Sequence, residues 1–327
     1  MTRYAPVPLP NINLRTLRAG DFIKNIQEWL RSPPLRDLVE IFGGAIPSGP
    51  LTDVLCKLDV WSAGVWDFRS GRERHEARAK QFSRDVERAV RIAAHALGMT
   101  ESSYPTEGSY DHMLVLGGMV ETCLLRTAFA AAIARRYAAV ADVAALAGLR
   151  PLSPRELEFC RSTRLVGCAT EFDGMEAGVR KAFGLRSEPI REIGGAPEVD
   201  PRNSWRRHTY LGSTPPVQVL AAPSTEPARR RANTADTYAF WVSNGAPLTS
   251  ESTILLVTSS LHVPFQHLDA LRVLSLRHGC GIETVGAANI AAEGAKPSVT
   301  TILQEIRSAI LSAMRLCRAL DEGKSAQ

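Results

Sequence analysis

Residues 253–258 read TILLVT, and this stretch decides the fold. A continuous run of β-branched residues and leucine, without polar alternation, is typical of a parallel strand that is covered on both faces. Further apolar runs at 111–116, 140–146 and 281–285 predict three more strands, and segments of helical period lie between the runs. Because strands that alternate with helices form crossover units, we predict an α/β fold with a parallel sheet and helices on both sides.

The first hundred residues show a different pattern. Residues 1–15 are rich in proline and predict an irregular arm, whereas residues 16–100 have a helical period with a long helix expected over 72–97. The pattern changes at Tyr110. We therefore predict a helical N-terminal region or cap at 1–105 and an α/β ligand-binding domain at 106–327. The second part carries a polar, basic insert at 186–231, which has no clear periodicity.

Composition excludes several classes of protein. The 327 residues are 45% hydrophobic and carry a net charge of +5, which permits an anionic ligand without requiring nucleic acid. No apolar run approaches the roughly 18 residues that span a bilayer, and the first residues lack the apolar segment of a secretory signal. The six cysteines never form C-x-x-C, so we expect no metal site and a cytoplasmic, reducing location.

Glycine and polar residues follow two predicted strands where the chain turns into a helix. Because ligands of open parallel sheets bind at the carboxyl ends of the strands, we expect these turns to converge. Gly117-Gly118 lets the backbone approach an anion, or it forms only a tight turn. Thr258-Ser259 precedes His262, which is a general acid or base in one interpretation and a helix-capping or loop-satisfying group in the other.

Two helix starts add acidic side chains to the candidate site. Asn233, Thr234 and Asp236 open one helix, where they contact a ligand or serve only as its cap. Glu171 opens another, and an acidic residue in a first turn also suits the helix dipole without any further role. Neither G-x-G-x-x-G nor the P-loop pattern occurs at these turns, so the standard dinucleotide and P-loop signatures are absent.

Read in order, six short segments over about residues 110–290 resemble the SanA/ElyC/YdcF-like domain family. They are DHMLVLGG (111–118), Arg126 in the next helix, LAG (146–148), TEFDGM (170–175), NTADT (233–237) and LLVTSSLHVPF (255–265). The resemblance implies a Rossmann-like, doubly wound sheet. The positions that match the family's ligand-binding motifs are Gly117, Gly118, Arg126, Gly148, Asn233, Thr234, Thr258 and Ser259. Glu171 matches the family acid, and His262 matches the histidine of the last motif.

The sequence also departs from that family's pattern. Its Ser-Gly-Gly turn reads Ala147-Gly148-Leu149 here, its Glu-Asn pair reads Asp236-Thr237, and its last arginine reads Phe265. Phenylalanine cannot supply the charge and donors of an arginine. Either the ligand differs, or Arg150 or the run at 229–231 supplies the charge instead.

Two functions remain open at this point. In the first, an enzyme holds a small anionic or nucleotide-like substrate at Gly117-Gly118 and Arg126. Glu171 or Asp236 orients the substrate and His262 transfers protons, as in a transferase or hydrolase. In the second, the same pocket binds a nucleoside without chemistry; the cytosolic branch of the family implies S-adenosylmethionine or a nucleotide. The N-terminal helices would then form a partner or homodimer surface.

The basic insert admits three interpretations. Its arginines at 202, 206, 207 and 229–231 accompany two aromatic residues, Trp205 and Tyr210. Such a segment is a solvated loop, a lid that closes over a phosphorylated ligand, or a binder of single-stranded nucleic acid. The mild net charge disfavours nucleic acid.

Overall fold

The computed structural model describes residues 4–9, 19–68, 80–245, 247–288 and 296–325. The chain divides into two compact units. The first unit comprises Met1–Ser102, Ser260–Arg272 and Ala288–Gln327, and the second comprises Ser103–Ser259 and Val273–Ala287. Each unit is described by itself below.

The helices and strands follow one another along the chain in a fixed order. They are α1 (Ala19–Leu30), α2 (Pro33–Ile41), α3 (Leu51–Trp66), α4 (Arg84–Ala96), β1 (Ser109–Leu116), α5 (Val120–Arg136), β2 (Ala139–Ala147), α6 (Pro154–Ser162), α7 (Glu171–Phe183), β3 (Ile190–Gly194), β4 (Trp205–Tyr210), β5 (Val217–Ala221), α8 (Thr234–Ser243), β6 (Thr253–Ser259), α9 (Val263–Ala270), α10 (Leu276–His278), β7 (Gly281–Ala287) and α11 (Val299–Ser325). A 3-10 turn covers Ser260–His262, and a π turn covers Leu271–Ser275.

The first unit is helical in its described residues, as its apolar periodicity predicts. Helix α2 starts with two prolines, which suit the first turn of a helix, and ends before Gly43 in the left-handed region at φ 76°. The predicted helix over 72–97 is shorter in its described part, because Ser83 accepts a hydrogen bond from the Val86 N–H and caps α4 there. The charged stretch at 72–79 lies outside the described residues. Helix α3 lies within the stretch 16–100 that was predicted to be helical, although its own bounds were not predicted.

Seven strands form one sheet in the second unit, in the order β3-β4-β5-β2-β1-β6-β7. The five strands from β5 to β7 are parallel, and β3 and β4 are antiparallel additions at one edge. The chain moves from β1 outward to β2 and β5, then returns to β6 and β7 on the other side of β1. This arrangement confirms the predicted α/β, Rossmann-like fold, and it puts the topological switch point between β1 and β6.

The basic insert at 186–231 is part of the sheet, since β3, β4 and β5 lie within it. The sequence analysis missed these strands because arginines break the apolar alternation of β4, which reads WRRHTY. Carboxylates compensate their charges: Arg207 pairs with Glu192 at 2.6 Å, and Arg206 pairs with Asp173 at 3.3 Å. These two ion pairs join β4 to α7 and to β3.

Close packing of α5 against α7 brings the first turns of both helices to the same end of the sheet. A Cβ at Gly178 would lie 2.7 Å from the Thr127 hydroxyl oxygen, and one at Gly174 would lie 2.9 Å from Val120. Glycine at these two positions therefore sets the distance between the helices. None of the helices in the described part of the chain is long and apolar enough to cross a membrane.

Candidate functional site

The second unit holds all the predicted site residues except His262. Six of them form a continuous set of contacts at the carboxyl ends of β1, β2 and β6: Gly117, Gly118, Arg126, Gly148, Glu171 and Ser259. The predicted convergence of these turns is therefore visible in the geometry. Thr258 is buried beside Ser259, whereas Asn233, Thr234 and Asp236 lie at the start of α8.

Arg126 is a buried cation that fastens the ends of two strands together. Its Nε donates to the Ser259 hydroxyl at 3.0 Å, and its Nη1 donates to the carbonyl oxygens of Leu116, at 2.8 Å, and of Gly117. The guanidinium group thus bridges β1 and β6 across the switch point. It brings positive charge to the strand ends, but its Nε and Nη1 groups already donate hydrogen bonds to oxygen atoms of the protein.

Glu171 is the first residue of α7, and its carboxylate lies in a notch between the turns that follow β1 and β2. A Cβ at Gly117 would clash with Glu171 Oε1 and would lie 2.7 Å from the Leu146 carbonyl oxygen, so only glycine leaves room for the carboxylate. A Cβ at Gly148 would lie 3.7 Å from Glu171 Oε2, which is an ordinary contact. Packing against Glu171 therefore requires glycine at position 117, whereas a larger residue at position 148 would not clash with the carboxylate.

The electrostatic environment of Glu171 favours its neutral form. Its side chain is only 15% exposed. Burial raises the pKa of Glu171, and the nearby Arg150, Arg231 and Arg126 oppose that rise without cancelling it. A carboxyl group that keeps its proton to a higher pH than usual, at the rim of an α/β sheet, has the properties of a general acid or a hydrogen-bond donor.

Arg150 connects Glu171 to a second carboxylate, that of Glu156. Its two terminal nitrogens each lie 2.8 Å from one oxygen of Glu156, and its Nε lies 3.4 Å from Glu171 Oε2. Glu156 also accepts hydrogen bonds from the Val120 N–H at the start of α5 and from Ser153. Burial would raise the pKa of Glu156, but Arg150 and Ser153 lower it to about 2, so this carboxylate is charged at neutral pH.

Asp236 has a structural position at the start of α8. It forms a capping box with Asn233, and its carboxylate accepts hydrogen bonds from Thr225, at 2.7 Å, and from Arg230. Burial alone would raise the pKa of Asp236, whereas Arg230 and Thr225 lower it. Its oxygens are occupied by these contacts, and a catalytic role for Asp236 stays a prediction.

Arg230 pairs with Asp236, and the next residue is Arg231. Arg231 is exposed and attracts the Glu171 carboxylate electrostatically. The run at 229–231 was predicted as one source of a compensating charge. In the structure, Arg230 pairs with Asp236 of α8, and Arg231 interacts electrostatically with Glu171.

His262 belongs to the first unit, where it ends the 3-10 turn. Its ring is buried and lies edge-on to Phe265, with centroids 5.8 Å apart. Phe265 is the residue that stands where the resembled family has arginine. Proton transfer by His262 stays a prediction.

The sequence analysis missed Glu156 and the ion pair that it forms. A signal was present, because Ser153-Pro154-Arg155-Glu156 matches the capping-box pattern, and the structure has that box. The pattern predicts the helix start, but not the arginine that the same carboxylate binds. Within the described ranges, no group of three or more His, Cys, Asp or Glu side chains is placed to hold a metal ion.

Comparison with known proteins identifies a family other than the one that the motifs resemble. A model named Rv3785 N-terminal domain matches residues 15–98. Rv3785 of Mycobacterium tuberculosis (strain ATCC 25618 / H37Rv) is 31% identical over 327 residues, which cover 91% of this chain and 90% of the relative. Mb3814 of Mycobacterium bovis gives the same values. No solved structure matches the chain.

The resemblance to the SanA/ElyC/YdcF-like family is therefore wrong, since the relatives span almost the whole chain and belong elsewhere. The physical reason lies in the motifs themselves. Paired glycines after a strand, an Asn cap and a Thr-Ser strand end are what many Rossmann-like sheets need at their turns, so they report the fold more than the family.

Proposed function

We propose that this chain, which belongs to the Rv3785 family, binds a small anionic ligand at the Glu171 site. This site comprises the side chains of Glu171, Arg150 and Arg231 and the backbone at Gly117-Gly118 and Gly148. The observation that carries the proposal is a mostly buried carboxyl group at the carboxyl ends of parallel strands, 3.4 Å from Arg150 Nε and beside Gly117, whose carbonyl oxygen binds Arg126. Arg231 acts on the same carboxyl group electrostatically. Open α/β sheets bind their ligands at this edge.

Charge at the site favours a phosphate group over an uncharged ligand. Arg126, Arg150 and Arg231 bring three positive charges, which Glu156 offsets by one and Glu171 only when it is ionised. Arg231 is exposed, and its guanidinium group can pair with phosphate oxygens. The contact from Arg150 Nε to Glu171 is 3.4 Å long, beyond the roughly 2.7–2.9 Å of a strong charged pair, so an incoming anion replaces a weak interaction there.

Glu171 gives the site its proposed chemistry, which is group transfer or hydrolysis at a phosphorylated or nucleotide-like substrate. A protonated carboxyl group beside bound phosphate donates a hydrogen bond to an oxygen and can deliver its proton to a leaving group. We assign the general acid role to Glu171. A cytoplasmic location is part of the proposal, supported by six cysteines that are all free thiols.

Binding is tested by thermal shift and calorimetry with inorganic phosphate, a nucleoside monophosphate and a nucleoside triphosphate. We expect Arg231→Ala to weaken the best of these probes by roughly tenfold or more, since a hydrogen bond to a charged group is worth about 1.5–3 kcal/mol. Arg229→Ala is the matched control, because Arg229 is 84% exposed and its side chain pairs with Glu226. The proposal fails if no probe binds or if both variants weaken binding equally.

Catalysis is tested separately by product analysis with Glu171→Gln. The amide has nearly the shape of the protonated acid but delivers no proton, so turnover should fall while probe affinity changes little. Binding without any product in the wild-type protein would favour the non-catalytic alternative.

A further inference from the structure

Two cysteines form a thiol pair outside the Glu171 site. Cys160 lies in the last turn of α6, and Cys168 lies two residues before the Thr170 cap of α7. Both are free, and both pack in one apolar cluster with Val120 and Leu152. Cys168 packs against the cluster that contains Cys160, and each thiol perturbs the pKa of the other. The sequence analysis assigned no role to either residue beyond that of a buried thiol.

We propose that Cys160 and Cys168 are a redox modification site, which closes to an intramolecular disulfide by exchange with a low-molecular-weight disulfide. The Cys168 thiolate attacks one sulfur of the external disulfide, forms a mixed disulfide and releases the first thiol. The Cys160 thiolate then attacks Cys168 Sγ and releases the second thiol. Two protein thiols are oxidised, one external disulfide is reduced to two thiols, and the two protein protons end on those leaving thiols.

The geometry suits closure and sets its order. The two side chains pack in the same cluster, and closure would bring their sulfurs to the disulfide length of about 2.0 Å. Cys160 is 3% exposed and Cys168 is more accessible, so Cys168 is the point of entry and Cys160 the resolving thiol. The segment between them contains left-handed backbone at Arg164 and Gly167 and carries Val166 almost fully in solvent. A segment with so few buried contacts can adjust as the sulfurs approach.

The surroundings make the exchange slow at neutral pH. Carboxylates face the pair from each helix packed around it: Glu121 of α5, Glu156 of α6, and Asp173 and Glu176 of α7. Burial, then the neighbouring Cys160 thiol, and then Asp173 and Glu176 raise the pKa of Cys168 to about 12. Because the thiolate is the nucleophile, the rate should rise about tenfold for each pH unit well below that pKa.

Closure would act on the segment that positions Glu171. Residues 150–152 and 169–171 lie side by side, with the Leu152 N–H donating to the Ala169 carbonyl and the Glu171 N–H donating to the Arg150 carbonyl, both at 2.9 Å. Drawing Cys168 toward α6 pulls on this pairing, and hence on the contact between Arg150 and Glu171. We infer that the disulfide changes ligand affinity, a consequence that rests on the proposed function, whereas disulfide formation does not.

The test exposes the full chain to oxidised glutathione at pH 7.5 and 8.5, followed by denaturation, alkylation and peptide mapping by mass spectrometry. We expect one disulfide joining Cys160 to Cys168, formed about tenfold faster at the higher pH and reversed by dithiothreitol. Cys160→Ser should stop at the mixed disulfide on Cys168. Cys56→Ser, which changes a partly exposed thiol of the first unit, should leave the reaction unaltered. Mapping of the wild-type protein needs no variant to fold.

The proposal is overturned if no disulfide between Cys160 and Cys168 forms at pH 8.5 while Cys56 is modified, or if Cys168 pairs with another cysteine. Phosphate affinity of the reduced and oxidised protein is then compared by calorimetry. If the disulfide forms but the reduced protein binds neither phosphate nor either nucleotide probe, the proposed function fails and the modification site stands. If both forms bind phosphate equally, the inferred change in affinity is wrong.

Discussion

Replacement of Glu156 by glutamine tests whether its ion pair with Arg150 holds the candidate site together. The carboxylate is 1% exposed and binds both terminal nitrogens of Arg150, the Val120 N–H and Ser153. Lowering its pKa from the usual 4.5 to about 2, at ~1.4 kcal/mol for each tenfold change in proton affinity, corresponds to about 3 kcal/mol of stability. We expect Glu156→Gln to lose roughly that much at pH 7.

The sign of the pH dependence follows from the direction of the pKa. Because folding lowers the pKa of Glu156, its stabilisation is complete above about pH 4.5 and is lost as the pH falls toward 2. The difference between wild type and Glu156→Gln in the free energy of unfolding should therefore be largest at pH 7 and shrink between pH 4.5 and 3. Thermal unfolding of the second unit should show a Tm lower by roughly 6–12 °C at pH 7.

Glu158→Gln is the matched control for this measurement. Glu158 lies on the same helix, is 69% exposed and pairs only with Arg161, and such surface pairs contribute about 0–1 kcal/mol. Its Tm should stay close to that of the wild type at every pH. The reasoning is refuted if Glu156→Gln is as stable as Glu158→Gln at pH 7, or if its deficit is unchanged at pH 3.

Three further variants test other parts of the site. Gly117→Ala puts a methyl group against Glu171 and the Leu146 carbonyl, so thermal unfolding should show a loss of roughly 1–3 kcal/mol, larger than for Gly118→Ala. Because folding raises the pKa of Glu171, the stability of the wild type should fall as the pH rises above about 4.5. Glu171→Gln should therefore be more stable than the wild type at pH 8 and equally stable at pH 4. The opposite order would contradict the direction of that pKa. Asp236→Asn removes the charge that pairs with Arg230 and should lower the free energy of unfolding by about 1 kcal/mol. A loss of turnover with unchanged stability would instead support the predicted catalytic role of Asp236.

The parallel core of the fold was predictable because each strand carries its signal locally. The run at 253–258 became β6, and the runs at 111–116, 140–146 and 281–285 became β1, β2 and β7 with only small changes at their ends. The edge strands β3 and β4 were not predictable in the same way. The apolar alternation of β4 is broken by Arg206 and Arg207, whose charges are compensated by acidic residues on α7 and β3.

The candidate site was predictable in its location but not in its contacts. Turns that follow parallel strands meet at one edge, so Gly117, Gly148 and Glu171 were expected near one another. Nothing in the spacing of the residues shows that Arg126 binds carbonyl oxygens or that Arg150 binds Glu156. These contacts join residues that lie far apart along the chain or on different elements, and their geometry exists only after the helices pack.

By itself, the sequence determined the strand and helix periods, the glycines at the turns and the absence of a long apolar run, because each is a property of neighbouring residues. Only the tertiary structure decided which charges meet. A guanidinium group can bind backbone oxygens, a buried carboxylate or a ligand, and the choice depends on distances of a few ångströms between separate segments. In this protein, Arg126 binds carbonyl oxygens at the strand ends, Arg150 binds Glu156, and Arg230 binds Asp236 of α8. Arg231 is exposed and interacts electrostatically with Glu171.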